Sequence, residues 1–208
     1  MNTLATVSAL TFGVQAFITL FVILDPPGAT PIFLSLVAGE SRKRQKRLAW
    51  EGAFSSLVII VVFALFGQVI LDSLHISINA LQGAGGLLLF LISMELLTGK
   101  DGGDQNRSEN VNVAMVPLGT PILAGPGAIV TTMLYVQYAD SSAAKISLAA
   151  AIVAVHIVIG FTLMYSTKIL GLIKESGVTL VARVAGLLVA AIAVEMMVQA
   201  IKGFFNLA

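Results

Sequence analysis

Two short motifs rich in proline and glycine interrupt apolar stretches of this chain: LDPPGATP at residues 24–31 and LAGPGAIV at residues 123–130. Proline lacks the N–H group that a helix needs, so each motif leaves carbonyl oxygens without their usual helical partners. A helix that begins after such a break offers its first N–H groups as donors. Each motif therefore combines acceptors with donors, which suits a small solute that carries both signs of charge.

Each motif predicts a helix that stops and starts again. A new half-helix is expected near Ala29 in the first motif, with Pro31 in its first turn, and near Ala128 in the second. The carboxylate of a zwitterion would lie on the first N–H groups of a half-helix, and its ammonium, or a coupling cation, on the freed carbonyls and Asp25. The alternative is that both motifs are proline kinks that only pack. The predicted substrate site comprises Asp25, Pro26, Pro27, Gly28, Ala29, Thr30, Gly125, Pro126, Gly127, Ala128 and Ile129.

Three acidic residues in apolar segments are candidates for coupling or gating: Asp25, Glu95 and Glu195. An acid deep in a membrane is costly and usually functional, so Asp25 is predicted to couple transport to H⁺ or Na⁺. Its alternative role is to cap the broken helix near Gly28. Glu95 and Glu195 are candidate gates, or acids that meet lipid headgroups and basic residues at the ends of their segments.

Several uncharged polar residues are candidates for lining a path through the protein, because polar side chains in a helix bundle normally face its interior. Hydrogen bonds between helices explain the same residues equally well. The candidates are Asn79, Gln82, Thr131 and Thr132. The sequence has no metal-ligand spacing, catalytic triad, phosphate loop or nucleic-acid element, so neither an enzyme nor a metal or other resident cofactor is expected.

The elements that must position these residues are membrane-spanning helices. The chain has 208 residues, of which 57% are hydrophobic and 11% charged, with no cysteine, and its mean hydropathy is +0.96. Alternation of polar and apolar residues, the mark of a membrane barrel, is missing, so the fold class is all-α. Six spans of roughly 20 or more residues are predicted, at about 10–37, 48–71, 78–98, 112–138, 146–170 and 179–201.

The two halves of the chain align with each other at a shift of about 100 residues. Gly86 and Glu95, for example, match Gly186 and Glu195. Each half holds three spans, an odd number, so the second half must enter the membrane upside down. The predicted organisation is a three-helix repeat at 1–98, a Gly-rich linker at 99–111 and an inverted three-helix repeat at 112–208, with spans one and four broken at midmembrane.

The distribution of basic residues predicts the orientation. A basic cluster follows the first span and is expected in a cytoplasmic loop, which places both termini outside, in a multi-pass protein of the cell inner (plasma) membrane. The sequence predicts the lipid bilayer and a small zwitterion as partners, excludes nucleic acid, and is compatible with a homo-oligomer. The cluster comprises Arg42, Lys43, Arg44, Lys46 and Arg47.

The segments DPPGATPIFLSL, AGGLLLFLISMELL and VPLGTPILAGPGAIVTTM resemble the signature segments of the MarC family of prokaryotic inner-membrane proteins. The resemblance covers essentially the whole chain. It implies a relation to the LysE-type exporters and transport of small neutral amino acids. The matching motif residues are Asp25, Pro26, Gly28 and Pro31 in the first signature, and Gly125, Pro126, Gly127 and Ala128 in the second.

The preferred hypothesis is therefore a secondary transporter of small neutral amino acids, working by alternating access. A channel would need a continuous polar stripe, which the spans lack. A non-transporting membrane partner or regulatory protein would need a recognition surface, whereas the loops are short. Efflux of a small drug-like solute is a further alternative. The glycine-lined breaks argue against it, because they favour a small polar solute.

Overall fold

The computed structural model describes residues 9–37, 39–98 and 124–205, and in these residues every regular element is an α-helix. The predicted linker at 99–111 and the first part of the predicted fourth span, 112–123, lie outside the described residues. The helices are α1 Ala9–Leu24, α2 Pro26–Leu36, α3 Arg42–Leu74, α4 Ile78–Thr98, α5 Pro126–Tyr138, α6 Ser142–Met164 and α7 Ser166–Phe205.

Five helical segments of the described chain are long and apolar enough to cross a membrane: Ala9–Leu34 (α1 with α2), Arg42–Leu74, Ile78–Thr98, Ser142–Met164 and Thr179–Phe205. They correspond to five of the six predicted spans. Many of their large apolar side chains point outward, as in Leu10 (76% exposed), Leu65 (68%) and Phe54 (66%). An apolar exterior of this kind fits lipid rather than water. The protein is therefore a multi-pass, all-helical membrane protein.

The helices pack in antiparallel pairs. On α3 and α6, Trp50 lies edge-on to Phe161 while Ser56 meets His156, so later residues of one helix meet earlier residues of the other. In the same way α4 runs antiparallel to α7, with Gly83 beside Ala200 and Gly86 beside Ala193. Glycine at such points allows two helix backbones to approach closely.

Two element boundaries differ from the predictions. The basic cluster is not in a loop, because α3 begins at Arg42 with Ser41 as its N-cap, whose hydroxyl accepts from the Arg44 N–H. A loop was also expected at 171–178, whereas α7 continues through these residues and the chain turns earlier, at Tyr165. A 40-residue helix is about 60 Å long, twice the roughly 30 Å hydrocarbon thickness. Its apolar window begins only at Thr179.

Candidate functional site

The first break lies at Asp25, between α1 and α2. Its φ of 39° is left-handed, a conformation that aspartate tolerates better than most residues. The new helix begins at Pro26, not near Ala29 as predicted, because proline is well tolerated in a first helical turn, where its missing N–H has no helical partner to lose. Pro31 accordingly lies inside α2 rather than in its first turn.

The carboxylate of Asp25 caps the helix that follows it. Its Oδ1 accepts a hydrogen bond from the Gly28 N–H at 3.2 Å. A Cβ atom on Gly28 would overlap this carboxylate, so only glycine permits the approach. The capping role considered for Asp25 is thus present in the structure. Its role in coupling stays a prediction.

In the second motif, Gly125 is the N-cap of α5, with extended backbone angles and no side-chain cap. Whether the predicted fourth span is broken here depends on the residues before Ala124, which lie outside the described residues. The helix begins at Pro126, two residues before the predicted start at Ala128, for the same reason as in the first break. The N–H groups of Ala128 and Ile129 both donate to the carbonyl of Gly125, at 3.0 and 3.2 Å.

The structure brings the first break close to the start of α5. A Cβ atom built on Gly127 would lie 3.7 Å from Cγ2 of Ile23, just before the first break, and in contact with Leu89 of α4. Ala29 and Ala128, the residues that follow the glycines of the two motifs, are buried in one apolar cluster. The end of α1 is therefore a neighbour of the first turn of α5, whereas α2 packs chiefly against α6 and α7.

Three buried threonines lie next to the breaks and differ in how their hydroxyls are bonded. Thr30 donates to the carbonyl of Pro26 at 3.2 Å, and Thr132 donates to that of Ala128 at 2.8 Å. The Oγ1 of Thr131 is buried but has no hydrogen-bond partner among the described residues. Of the two threonines predicted to line a path, Thr131 therefore offers a hydroxyl, and Thr132 uses its own within the helix.

One further polar contact on this interface was not predicted from the sequence. The hydroxyls of Thr19 on α1 and Tyr135 on α5 lie 2.9 Å apart. Tyr135 stands one turn after Thr131, on the same face of α5. The sequence offers several hydroxyl groups in each of these two helices, and only the packing shows which of them meet.

The other two residues predicted to line a path, Asn79 and Gln82, belong to α4. They lie towards the carboxyl end of α5, away from Gly125. Gln82 donates to the Tyr138 hydroxyl and to Oε1 of Gln199 at 2.9 Å. Gln199 in turn donates to Glu195 at 3.0 Å. Asn79 packs against Gly203. Gln82, Tyr138, Gln199 and Glu195 thus form a polar network across α4, α5 and α7.

The candidate gates differ in their contacts. The structure connects Glu195 to the polar network, through Gln199. Both Glu95 and Glu195 are exposed. A gating role of either acid stays a prediction.

Comparison with known proteins gives a consistent result over nearly the whole chain. Residues 10–205 match the family described as MarC family integral membrane protein. A UPF0056 membrane protein of Methanocaldococcus jannaschii is 34% identical over 200 residues, covering 93% of this chain and 98% of its own. Another, of Pyrococcus horikoshii, is 35% identical over 195 residues, covering 90% and 93%.

A bacterial relative shows the same extent of similarity. The UPF0056 membrane protein YvbG of Bacillus subtilis is 32% identical over 205 residues, covering 93% of this chain and 96% of its own. No solved structure matches the chain at a significant level.

Proposed function

Because this chain belongs to the MarC family of integral membrane proteins, we propose that it is a secondary transporter of small neutral amino acids or similar small zwitterions. The observation that carries the proposal is the meeting of the broken helix α1–α2 with the start of α5, where Gly127 packs beside Ile23. Pro27 cannot donate to the carbonyl of Ile23, which therefore lacks its helical partner. Gly127 offers an N–H group in the first turn of α5. Acceptors and donors for the two ends of a zwitterion would thus lie on neighbouring helices.

The inverted repeat that alternating access requires has support in matched contacts 100 residues apart. A Cβ atom on Gly86 would meet the backbone oxygen of Ala193 at 2.8 Å, and one on Gly186 would meet that of Ser93 at 3.2 Å. Adding 100 to residue number 86 and subtracting 100 from 193 gives the second pair, so a repeat with a shift of 100 residues converts one contact into the other. Since α4 and α7 run antiparallel, the relation is a two-fold rotation with opposite directions through the membrane.

The helix caps repeat in the same way. Ser41 caps α3 by accepting from the N–H three residues later, at 3.3 Å, and Ser141 caps α6 by the same bond, at 3.1 Å. Matching positions in the two halves thus begin matching helices. A transporter built in this way exposes its central site to either side by rocking one half against the other.

Asp25 is the acid closest to the breaks in sequence, and we assign coupling to it. It lies within the first candidate span, where an acid requires a partner. A proton or Na⁺ that binds the carboxylate would compete with the Gly28 N–H for it, and so would link ion binding to the start of α2. The proposal includes an orientation with the basic cluster in the cytoplasm and both termini outside.

The test is transport by the purified protein in proteoliposomes. Uptake and counterflow of labelled glycine, alanine and serine are measured with imposed H⁺ or Na⁺ gradients. We expect counterflow of at least one of them, because a carrier exchanges solute across its membrane whereas a channel does not concentrate label. Liposomes without protein are the control. The absence of specific flux under every gradient would overturn the proposal in favour of a non-transporting partner protein.

A further inference from the structure

We infer that the first turns of α3 bind an anionic phospholipid. Its phosphate would lie against Lys43 and Lys46, and its acyl chains would follow the helix over Trp50 and Phe54. All four of these residues are exposed. Such a lipid site goes beyond the proposed transport function and does not depend on it.

The start of α3 carries more positive charge than the protein balances. Five of its first six residues are basic, and its first turn has no acidic residue. Arg47 pairs with Glu51, with Nε and Oε1 2.7 Å apart, whereas the other four basic residues form no ion pair with any described residue. Cations are unfavourable at the amino end of a helix because of its dipole, and like charges three or four residues apart repel. A bound anion would relieve both effects.

The fold itself does not require these charges, as α6 shows. This helix has the same kind of cap, since the Ser141 side chain accepts from the N–H three residues later, just as that of Ser41 does in α3. Of the first six residues of α6, only Lys145 is charged. A helix of this bundle therefore caps and begins without a basic cluster, and the cluster of α3 is available for another use.

The exposed residues of α3 change from basic to apolar along one side of the helix. Lys46 follows Lys43 by three residues, and Trp50 and Phe54 follow at steps of four. Residues at these spacings are neighbours on a helix surface. Trp50 is 38% exposed and Phe54 66%, and large apolar side chains on α3 remain exposed as far as Leu65 and beyond. Cations, then a tryptophan, then apolar side chains match the order of phosphate, interface and acyl chain in a phospholipid.

The length of α3 favours a lipid over a soluble anion as the occupant. Its 33 residues extend about 50 Å, which exceeds the roughly 30 Å of the hydrocarbon layer, so its first turns reach the headgroup region. Phe54 belongs to the same candidate span and lies two to three turns further along. A phosphate beside Lys43 and Lys46 would thus be attached to chains that already lie along this helix. Phosphatidylglycerol, with a single negative charge, is a simple lipid of this class.

Thermal unfolding of the purified full-length protein in a neutral detergent tests the inference. The additives are phosphatidylglycerol, zwitterionic phosphatidylcholine with the same acyl chains, and glycerol 3-phosphate, which has the phosphate without the chains. We expect phosphatidylglycerol to raise the Tm and the other two to leave it unchanged at equal concentration. Equal stabilisation by both lipids would contradict recognition of the charge. Equal stabilisation by glycerol 3-phosphate and phosphatidylglycerol would show a site for a soluble anion instead.

Two double variants with the same loss of net charge separate this surface from general electrostatic attraction. Lys43→Gln with Lys46→Gln should weaken the apparent affinity for phosphatidylglycerol roughly 25-fold, because each lysine near an anionic lipid contributes about fivefold. Lys145→Gln with Lys202→Gln is the matched control. Both of its residues are exposed and lie on other helices, so the affinity should change less than about twofold. Equal losses in the two double variants would overturn the inference.

A gain of affinity provides a test that keeps both lysines. Glu51→Gln releases Arg47 from its ion pair and so adds a free cation one turn after Lys43. The affinity for phosphatidylglycerol should rise about fivefold, while phosphatidylcholine stays without effect. An affinity equal to or lower than that of the wild type would rule out the lipid site at this place. None of these measurements involves flux, so a failure here leaves the proposed transport function standing, and a failure of transport leaves the lipid site standing.

Discussion

The Nε2 atom of His156 lies 3.1 Å from the hydroxyl oxygen of Ser56, a residue 100 positions earlier in the chain. The other ring nitrogen, Nδ1, lies 2.7 Å from the carbonyl oxygen of Ile152. A carbonyl only accepts, so Nδ1 carries the proton, and in the neutral ring Nε2 accepts from Ser56. This pair joins α3 to α6 at positions that the repeat relates to each other. A residue that touches its own repeat equivalent lies on the two-fold axis of the proposed repeat.

Removal of the Ser56 hydroxyl is expected to destabilise the protein. In Ser56→Ala, Nε2 of His156 loses its donor while buried, which should cost about 0.5–2 kcal/mol in the free energy of unfolding. The control is Ser73→Ala on the same helix, whose exposed hydroxyl donates to the Val69 carbonyl, with an expected change within about 0.5 kcal/mol. Unfolding in detergent measures both. Equal losses would show that the pair contributes nothing specific.

Exchange of the two residues tests whether they lie on a repeat axis. Ser56→His and His156→Ser should each destabilise the protein, because the one adds volume in the core and the other leaves a cavity. The double variant should recover most of that loss. A histidine at position 56 would donate a hydrogen bond to the carbonyl of Gly52, as His156 donates one to the carbonyl of Ile152. A double-mutant cycle of unfolding free energies reports the recovery. Purely additive losses would count against the axis.

Gly86 and Gly186 should be equally intolerant of a methyl group. A Cβ atom on Gly86 would lie 2.8 Å from the Ala193 oxygen, and one on Gly186 would lie 2.9 Å from Cβ of Leu96. Replacement of either glycine by alanine should therefore force α4 and α7 apart, at about 1–3 kcal/mol. Gly83→Ala is the control, because its Cβ would be 3.5 Å from that of Ala200, and alanine gains helix propensity. If all three variants unfolded at the same temperature, the close packing would be unimportant.

Much of this fold is predictable because its signals are local. The break at Asp25 and the start of α5 after Gly125 follow from the prolines beside them, and the five described spans follow from apolar runs of about 20 residues. The course of α7 was not predictable in this way, because the apolar runs at 146–170 and 179–201 predicted a loop between two spans where the helix continues. The network from Gln82 to Gln199 joins residues 117 positions apart, and its partners depend on the register of three packed helices.

The candidate site was predictable to a similar extent. The prolines and glycines of the two motifs predicted the starts of α2 and α5 to within three residues. The sequence could not distinguish Thr131 from Thr132, which are adjacent and chemically identical. The distinction arises because Thr132 bonds to Ala128 within its own helix, while the hydroxyl of Thr131 is left to other partners.

Asp25 variants should separate its capping role from its proposed coupling role. Asparagine retains an acceptor for the Gly28 N–H and tolerates a positive φ, so Asp25→Asn should fold normally. It holds no charge, so uptake should lose its dependence on the H⁺ or Na⁺ gradient while counterflow continues. Asp25→Ala should also lose about 1–3 kcal/mol of stability, because the cap is removed and the left-handed backbone becomes strained. Gradient-driven uptake in Asp25→Asn equal to that of the wild type would exclude coupling through this residue.

Single cysteines at matched positions of the two halves should report opposite sides of the membrane. Glu40 and Asp140 are exposed residues that directly precede the caps of α3 and α6, and these helices run antiparallel, with Ser56 against His156. Their amino ends therefore lie at opposite ends of the bundle.

The chain has no native cysteine, so Glu40→Cys and Asp140→Cys can be labelled in intact cells without background. A membrane-impermeant maleimide should label only Asp140→Cys, because the basic residues that open α3 favour the cytoplasm. A permeant maleimide should label both variants, which controls for reactivity. Impermeant labelling of Glu40→Cys alone would reverse the orientation but keep the inversion, and labelling of both from one side would contradict the antiparallel arrangement itself.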